Sequence, residues 1–161
     1  MFWFTLFLLQ AAASPQIERG EALFFDSAKG CASCHAMKGR GTAVGPDLKG
    51  MGSLAPPAIA VAVRSTITSY VQHVKLKSKE SFPAMPGAKD EKTIDLYDLS
   101  KTPAQMRKTD RTEIESMSNN DTWKHSDIAK KYTDEQMADI IAYVRYAVTG
   151  IPKSVDPSEV R

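Results

Sequence analysis

Cys31 and Cys34 stand three positions apart, and His35 follows at once. That spacing of those residue types is the attachment pattern for a c-type haem. Positions i and i+3 share one face of a helical turn, so both sulfurs can reach the two vinyl groups of a single macrocycle. The histidine next in line can turn its imidazole onto the iron as the proximal ligand. Gly30, just ahead, keeps side-chain bulk away from the approaching ring. The chain has no other cysteine.

Other chemistries use parts of the same pattern. A thioredoxin-like redox pair wants a βαβ context, which the flanking sequence lacks. A structural zinc needs four ligands; His35 would be a third, and there is no second cysteine pair to complete the set. A disulfide between Cys31 and Cys34 would close a very short loop and gain little stability.

The elements that must position these residues are legible along the chain. With 161 residues, 42% hydrophobic and 25% charged, it has the make-up of one globular domain, or a core plus a small insert. A net charge of +2, reduced by two haem propionates, gives no reason to expect a nucleic-acid partner. The lysines at 75, 77 and 79, and at 130 and 131, read as solvated surface. Met1 to Ala13, apolar and ending in three alanines, reads as a signal peptide, with the mature chain starting near Ser14 or Pro15. It is short for a bilayer span and has no Lys or Arg at its start, so an uncleaved interfacial anchor is the alternative. Once the segment is removed, no membrane anchoring is expected, and the location is periplasmic or otherwise exported.

A first helix is expected from Gln16 to about Asp26, with Ile17, Gly20, Leu23 and Phe24 on its apolar face and Gly20 serving close helix packing. A glycine-rich loop follows His35 and contains Gly45-Pro46-Asp47-Leu48. A second helix opens at Ala55-Pro56-Pro57 and ends near Thr68. Between residues 70 and 117 the period changes: YVQHVKLKS, TIDLYDLS and MRKTDRTEIESM read as strands of a small antiparallel β insert, punctuated by Pro83, Pro86-Gly87 and Pro103. The last helix starts at a Thr133/Gln136 capping box, carries Met137, Ile140, Ile141, Val144 and Val148 on one face, and stops at Gly150. Residues 151–161 read as a disordered tail.

With the haem motif in place, Pro46 and Leu48 give a second mark: the chain resembles the monohaem cytochrome c family, in which a Pro-x-Leu follows the Cys-x-x-Cys-His. The resemblance implies that the Pro46 carbonyl accepts a hydrogen bond from His35 Nδ1–H and that Leu48 packs on the haem; a ligating histidine needs such an acceptor to fix its tautomer. The order of haem motif, GPDL, helix, strand insert, methionine and terminal helix is similar to the haem-binding domain of a cytochrome c group found in Planctomycetes, Verrucomicrobia and Acidobacteria, over roughly Glu18 to Val148. The fold expected is mainly α, a cytochrome c-like helical domain over 14–150 with the β insert at 70–117, and Tyr143 near the crossing of first and last helices.

For the sixth iron ligand the family order favours Met117, after the insert and before the terminal helix. Met85, in Phe-Pro-Ala-Met-Pro, is the alternative, followed by His73, His125 or an open site. Asn119, Asn120, Trp123, Lys124 and His125 form either a haem-edge loop or a capped surface turn. The function expected is an exported carrier of single electrons by Fe(III)/Fe(II) cycling of one covalent haem c. It is an electron-transfer protein rather than an enzyme, and its partners are redox proteins such as a dehydrogenase or a terminal oxidase or reductase. The alternatives are a ligand-binding or peroxide-reducing protein with an open distal site, and a haem subunit of a dehydrogenase complex.

Overall fold

The computed structural model describes residues 14–28, 30–64 and 70–161; the apolar segment 1–13 and the end of the second expected helix lie outside these. Of the described residues, 38% are helical and 24% are in strands, the latter forming one five-stranded antiparallel sheet. The expectation of a mainly α fold is therefore corrected: the protein combines a helical part and a β part of comparable weight.

The helical part is built on a crossing of α1 (Pro15–Phe24) and α4 (Asp134–Thr149). Ser14 caps α1, with Pro15 at its first position, where a missing N–H costs nothing. α4 starts with the reciprocal Thr133/Gln136 capping box and ends at Gly150, whose φ of 71° is the left-handed conformation glycine adopts freely. Gly20 makes the crossing close: a Cβ there would overlap the Asp139 carbonyl oxygen. Phe24 is fully buried, its ring centroid 5.4 Å from that of Tyr143. Beside the crossing, the Arg19 guanidinium donates to both carboxylate oxygens of Asp139 at 2.8 and 3.0 Å. α2 (Pro56–Arg64) and a short α3 (Ser126–Ala129) complete this part.

The tail, expected to be disordered over 151–161, is docked at two points. Val155 and Val160 are buried in the helical core. Gln16 brackets Val155 with two hydrogen bonds, donating to its carbonyl at 2.8 Å and accepting from its N–H at 3.0 Å. Arg64 donates to the Val160 carbonyl and pairs with Asp134 at 2.7 Å. Two isolated valines in a polar stretch are a weak signal, because burial here comes from docking and not from any periodicity of the tail.

The β part runs β1 (Gln72–Leu76), β2 (Ser81–Lys89), β3 (Thr93–Asp98), β4 (Gln105–Asp110) and β5 (Ile114–Asn119), in spatial order β4-β3-β2-β1-β5. β4 and β5 are opposite edges, yet only Arg111–Glu113 join them. Four inter-strand gaps of about 4.8 Å make about 19 Å across a flat sheet, whereas the four chain steps from Asp110 to Ile114 span at most about 14 Å. The sheet must therefore curl. Its concave face closes on itself as a separate apolar cluster of Val74, Leu76, Phe82, Ala84, Ile94 and Leu96, with Ile114 and Met117 against it.

The sequence pattern does not predict β2, because Pro83, Pro86 and Gly87 read as punctuation. The register shows why they are tolerated in an inner strand. Successive residues direct their backbone groups to alternate sides. Pro83 faces β3 just past the last pair, Ala84 with Asp98, where its carbonyl accepts from Leu99 N–H at 2.9 Å. Pro86 faces β1 beyond its last pair, Gln72 with Ala84, and sits at a register shift. Each missing N–H thus falls where a neighbouring strand has already ended.

Candidate functional site

The Cys31–Ser33 segment is a 3-10 turn following Gly30. Gly30 fits because a Cβ there would stand 2.5 Å from the carbonyl oxygens of Phe24 and Asp26, so the requirement is set by the preceding chain. The glycine-rich loop folds back on the turn: Thr42 N–H donates to the Ala32 carbonyl, and Val44 and Gly45 N–H both reach the Cys34 carbonyl. This brings Pro46 beneath the imidazole of His35, whose Nδ1–H donates to the Pro46 carbonyl at 2.9 Å. Gly45 lies flat against that ring; a Cβ there would be 2.5 Å from His35 Cε1.

Cys31, Cys34 and His35 all face one cavity of about 370 Å³. Its walls come from both halves of the molecule: Leu48, Ile59, Val63, Ile140 and Val144 from the helical part, Val71, Met85 and Leu99 from the sheet region. Burial pushes the Cys31 thiol up to about 11 and raises Cys34 as well, so both are protonated near neutrality. A reactive thiolate nucleophile has the opposite shift. Among the described residues no three His, Cys, Asp or Glu side chains converge as a metal-binding group, which leaves the zinc alternative without its ligand set. Burial also lowers the His35 imidazole below its ordinary value, while the Pro46 carbonyl acts the other way; the ring is held neutral, with Nε2 free to ligate.

A family model for cytochrome c matches residues 17–147. The chain belongs to the cytochrome c family. Members of this family bind haem c covalently and transfer electrons through it. Among individually curated proteins, none matches the chain.

The cavity fits the group this family carries: two cysteines on one turn, an imidazole anchored through Nδ1, and a mostly apolar lining. Leu48 and Pro46, singled out from the cytochrome c resemblance, both line it. Met117 does not. It stands opposite Val74 across the β1–β5 ladder and packs in the sheet's own cluster. Strand parity is the reason: residues paired across a ladder share a face, and the Val74 face is the concave one. Met85, two positions from Pro83 on the opposite face of β2, does line the cavity, as do Met51 and Met137.

The two distal histidines separate. His73 is exposed on β1 and lies on a neighbouring groove of about 480 Å³ beside Cys34 and Trp123. His125 lines the haem cavity itself, with Trp123 beside it at a ring-centroid distance of 6.3 Å. Of the segment 119–125, then, Trp123 and His125 reach the cavity. Tyr70 and Tyr132, which sequence reasoning did not single out, also line it; no local pattern marks them, since each arrives through tertiary packing. No helix among the described residues is long and apolar enough to cross a membrane.

Proposed function

We propose that the protein is an exported monohaem cytochrome c that passes single electrons between redox proteins. The observation that carries this reading is the 2.9 Å hydrogen bond from His35 Nδ1–H to the Pro46 carbonyl, made within a cavity that both Cys31 and Cys34 face. Cys31 and Cys34 would hold the haem through thioether bonds, and His35 would ligate its iron. The bound haem supplies a one-electron Fe(III)/Fe(II) couple.

This chain's residues supply the rest. The Pro46 carbonyl fixes the tautomer and orientation of His35 and makes the ligand more basic. Leu48, Ile59, Val71, Leu99 and Val144 exclude water from most of the haem, so that a change of charge on the iron moves few solvent dipoles. The covering is incomplete, because the cavity opens to the surface, and that edge is where a redox partner would dock. Transient electron-transfer contacts of this kind bury little area. The leader-like segment 1–13 supports export, in keeping with the attachment of c-type haem outside the bacterial cytoplasm.

The test is expression with a haem-attachment system, followed by an optical spectrum and denaturing electrophoresis with haem staining. One haem per chain, retained under denaturation and lost in Cys31→Ala with Cys34→Ala, is the expected result. Reversible one-electron titration without peroxidase turnover is expected as well. A chain that retains no haem under these conditions overturns the proposal.

A further inference from the structure

The cavity holds a second imidazole near the first. The His35 and His125 ring centroids are 6.2 Å apart, with the planes inclined at 64°. A metal ion bound on opposite sides by two imidazole nitrogens at about 2.0–2.1 Å separates the ring centroids by about 6.3 Å. Distance alone does not decide the matter, since tilted aromatic pairs fall in the same range of about 4.5–7 Å. The hydrogen bonds supply a second, independent observation.

Each ring is anchored the same way. His35 Nδ1–H donates to the Pro46 carbonyl at 2.9 Å, and His125 Nδ1–H donates to the Val63 carbonyl at 2.8 Å. Each bond fixes the tautomer that carries its proton on Nδ1, so Nε2 bears the lone pair. Neither Nε2 has a hydrogen-bond partner among the described residues. A backbone carbonyl on Nδ1 is the usual support of a metal-ligating histidine, and here it occurs twice, from different elements, around one cavity. Val63 belongs to α2, while His125 lies immediately before α3. The bond therefore ties the residue ahead of α3 to the end of α2.

Resting on the cytochrome c reading above, we infer that His125 is the sixth ligand, so that the haem is held between two imidazoles. Met85, Met51 and Met137, which line the same cavity, are the competing donors. The choice has functional weight. Methionine opposite histidine raises the reduction potential, so a second imidazole in its place gives a lower-potential carrier suited to strongly reducing donors. It also fills the distal position that a peroxide-reducing site needs open.

The deciding experiment compares optical and electron paramagnetic resonance spectra of haem-loaded wild type, Met85→Ala and His125→Gly, the last with and without added imidazole. Expected are a low-spin ferric wild type without the absorption near about 695 nm that reports an iron–methionine bond, the same spectrum in Met85→Ala, and loss of the two-imidazole signature in His125→Gly with recovery on adding imidazole. A band near about 695 nm in wild type overturns the inference whichever methionine supplies it, as does a high-spin wild type. Both of those results leave the covalent haem in place, whereas a wild-type chain without covalent haem removes the cytochrome reading and this inference with it. The wild-type spectrum alone can overturn the inference even if the glycine variant folds poorly.

Discussion

The helical part and the sheet differ in what their apolar residues surround. In the sheet, the cluster around Val74, Phe82 and Leu96 is closed by the strands themselves. In the helical part, Phe24, Ile59, Met137 and Ile141 are core residues that also line the haem cavity, so part of that core is completed only by the cofactor. One half carries its own interior; the other borrows one. The sheet joins the site with its outer face, through Met85, while its inner face is spent on its own packing.

Removing the cofactor is the strongest way to break this comparison. Without its occupant, a cavity of about 370 Å³ leaves Phe24, Ile59, Met137 and Ile141 without packing partners on one side, and lost packing of this kind destabilises a core. The haem-free Cys31→Ala/Cys34→Ala chain is expected to lose most of its helical circular dichroism while amides of β1 to β3 keep their protection from hydrogen exchange. Uniform loss of protection in both parts would show that the two halves form one cooperative unit.

A double-mutant cycle sharpens the same point. In the holoprotein, Phe24→Ala should cost about 3–5 kcal/mol and Leu96→Ala about 2–5 kcal/mol, since both side chains are fully buried. They belong to clusters with no common residue, so denaturation of the double variant should be additive within about 0.5 kcal/mol. A coupling well above that would mean that the halves communicate through the cavity wall.

The smallest effect concerns the surface of the sheet. Arg107 forks onto Glu80 at 2.7 and 2.8 Å, and its guanidinium also lies 4.4 Å from the centroid of the Phe82 ring. Exposed ion pairs contribute little, whereas the stem and face of the arginine cover an aromatic ring of the cluster. Arg107→Ala should therefore lower the thermal midpoint measurably, and Glu80→Gln should leave it within experimental scatter.

What could be read in advance was what is local. Cys31, Cys34 and His35, the capping box at Thr133, the stop at Gly150 and the close approach at Gly20 each act within a turn or through one missing Cβ, so the residue type states the requirement. β2 was hidden because whether Pro83 and Pro86 can sit in a strand depends on where its neighbours end. The order along the chain favours Met117, whereas the side it faces is set by its pairing with Val74. His125 carried only a weak mark, a histidine two residues after Trp123 and ahead of the terminal helix. Its partner, the Val63 carbonyl, is 62 residues away, and no pattern within a window can show that.

The rung pairing Gln72 with Asn119 has an architectural consequence. The chain enters the sheet and leaves it across a single ladder spacing of about 5 Å, so for the helices on either side the whole β unit is equivalent to a tight connection. Its length scarcely enters their closure entropy, which grows only logarithmically with loop size. The sheet is thus a module on a stem: it could be enlarged, trimmed or exchanged at that rung without α1 and α4 having to meet differently.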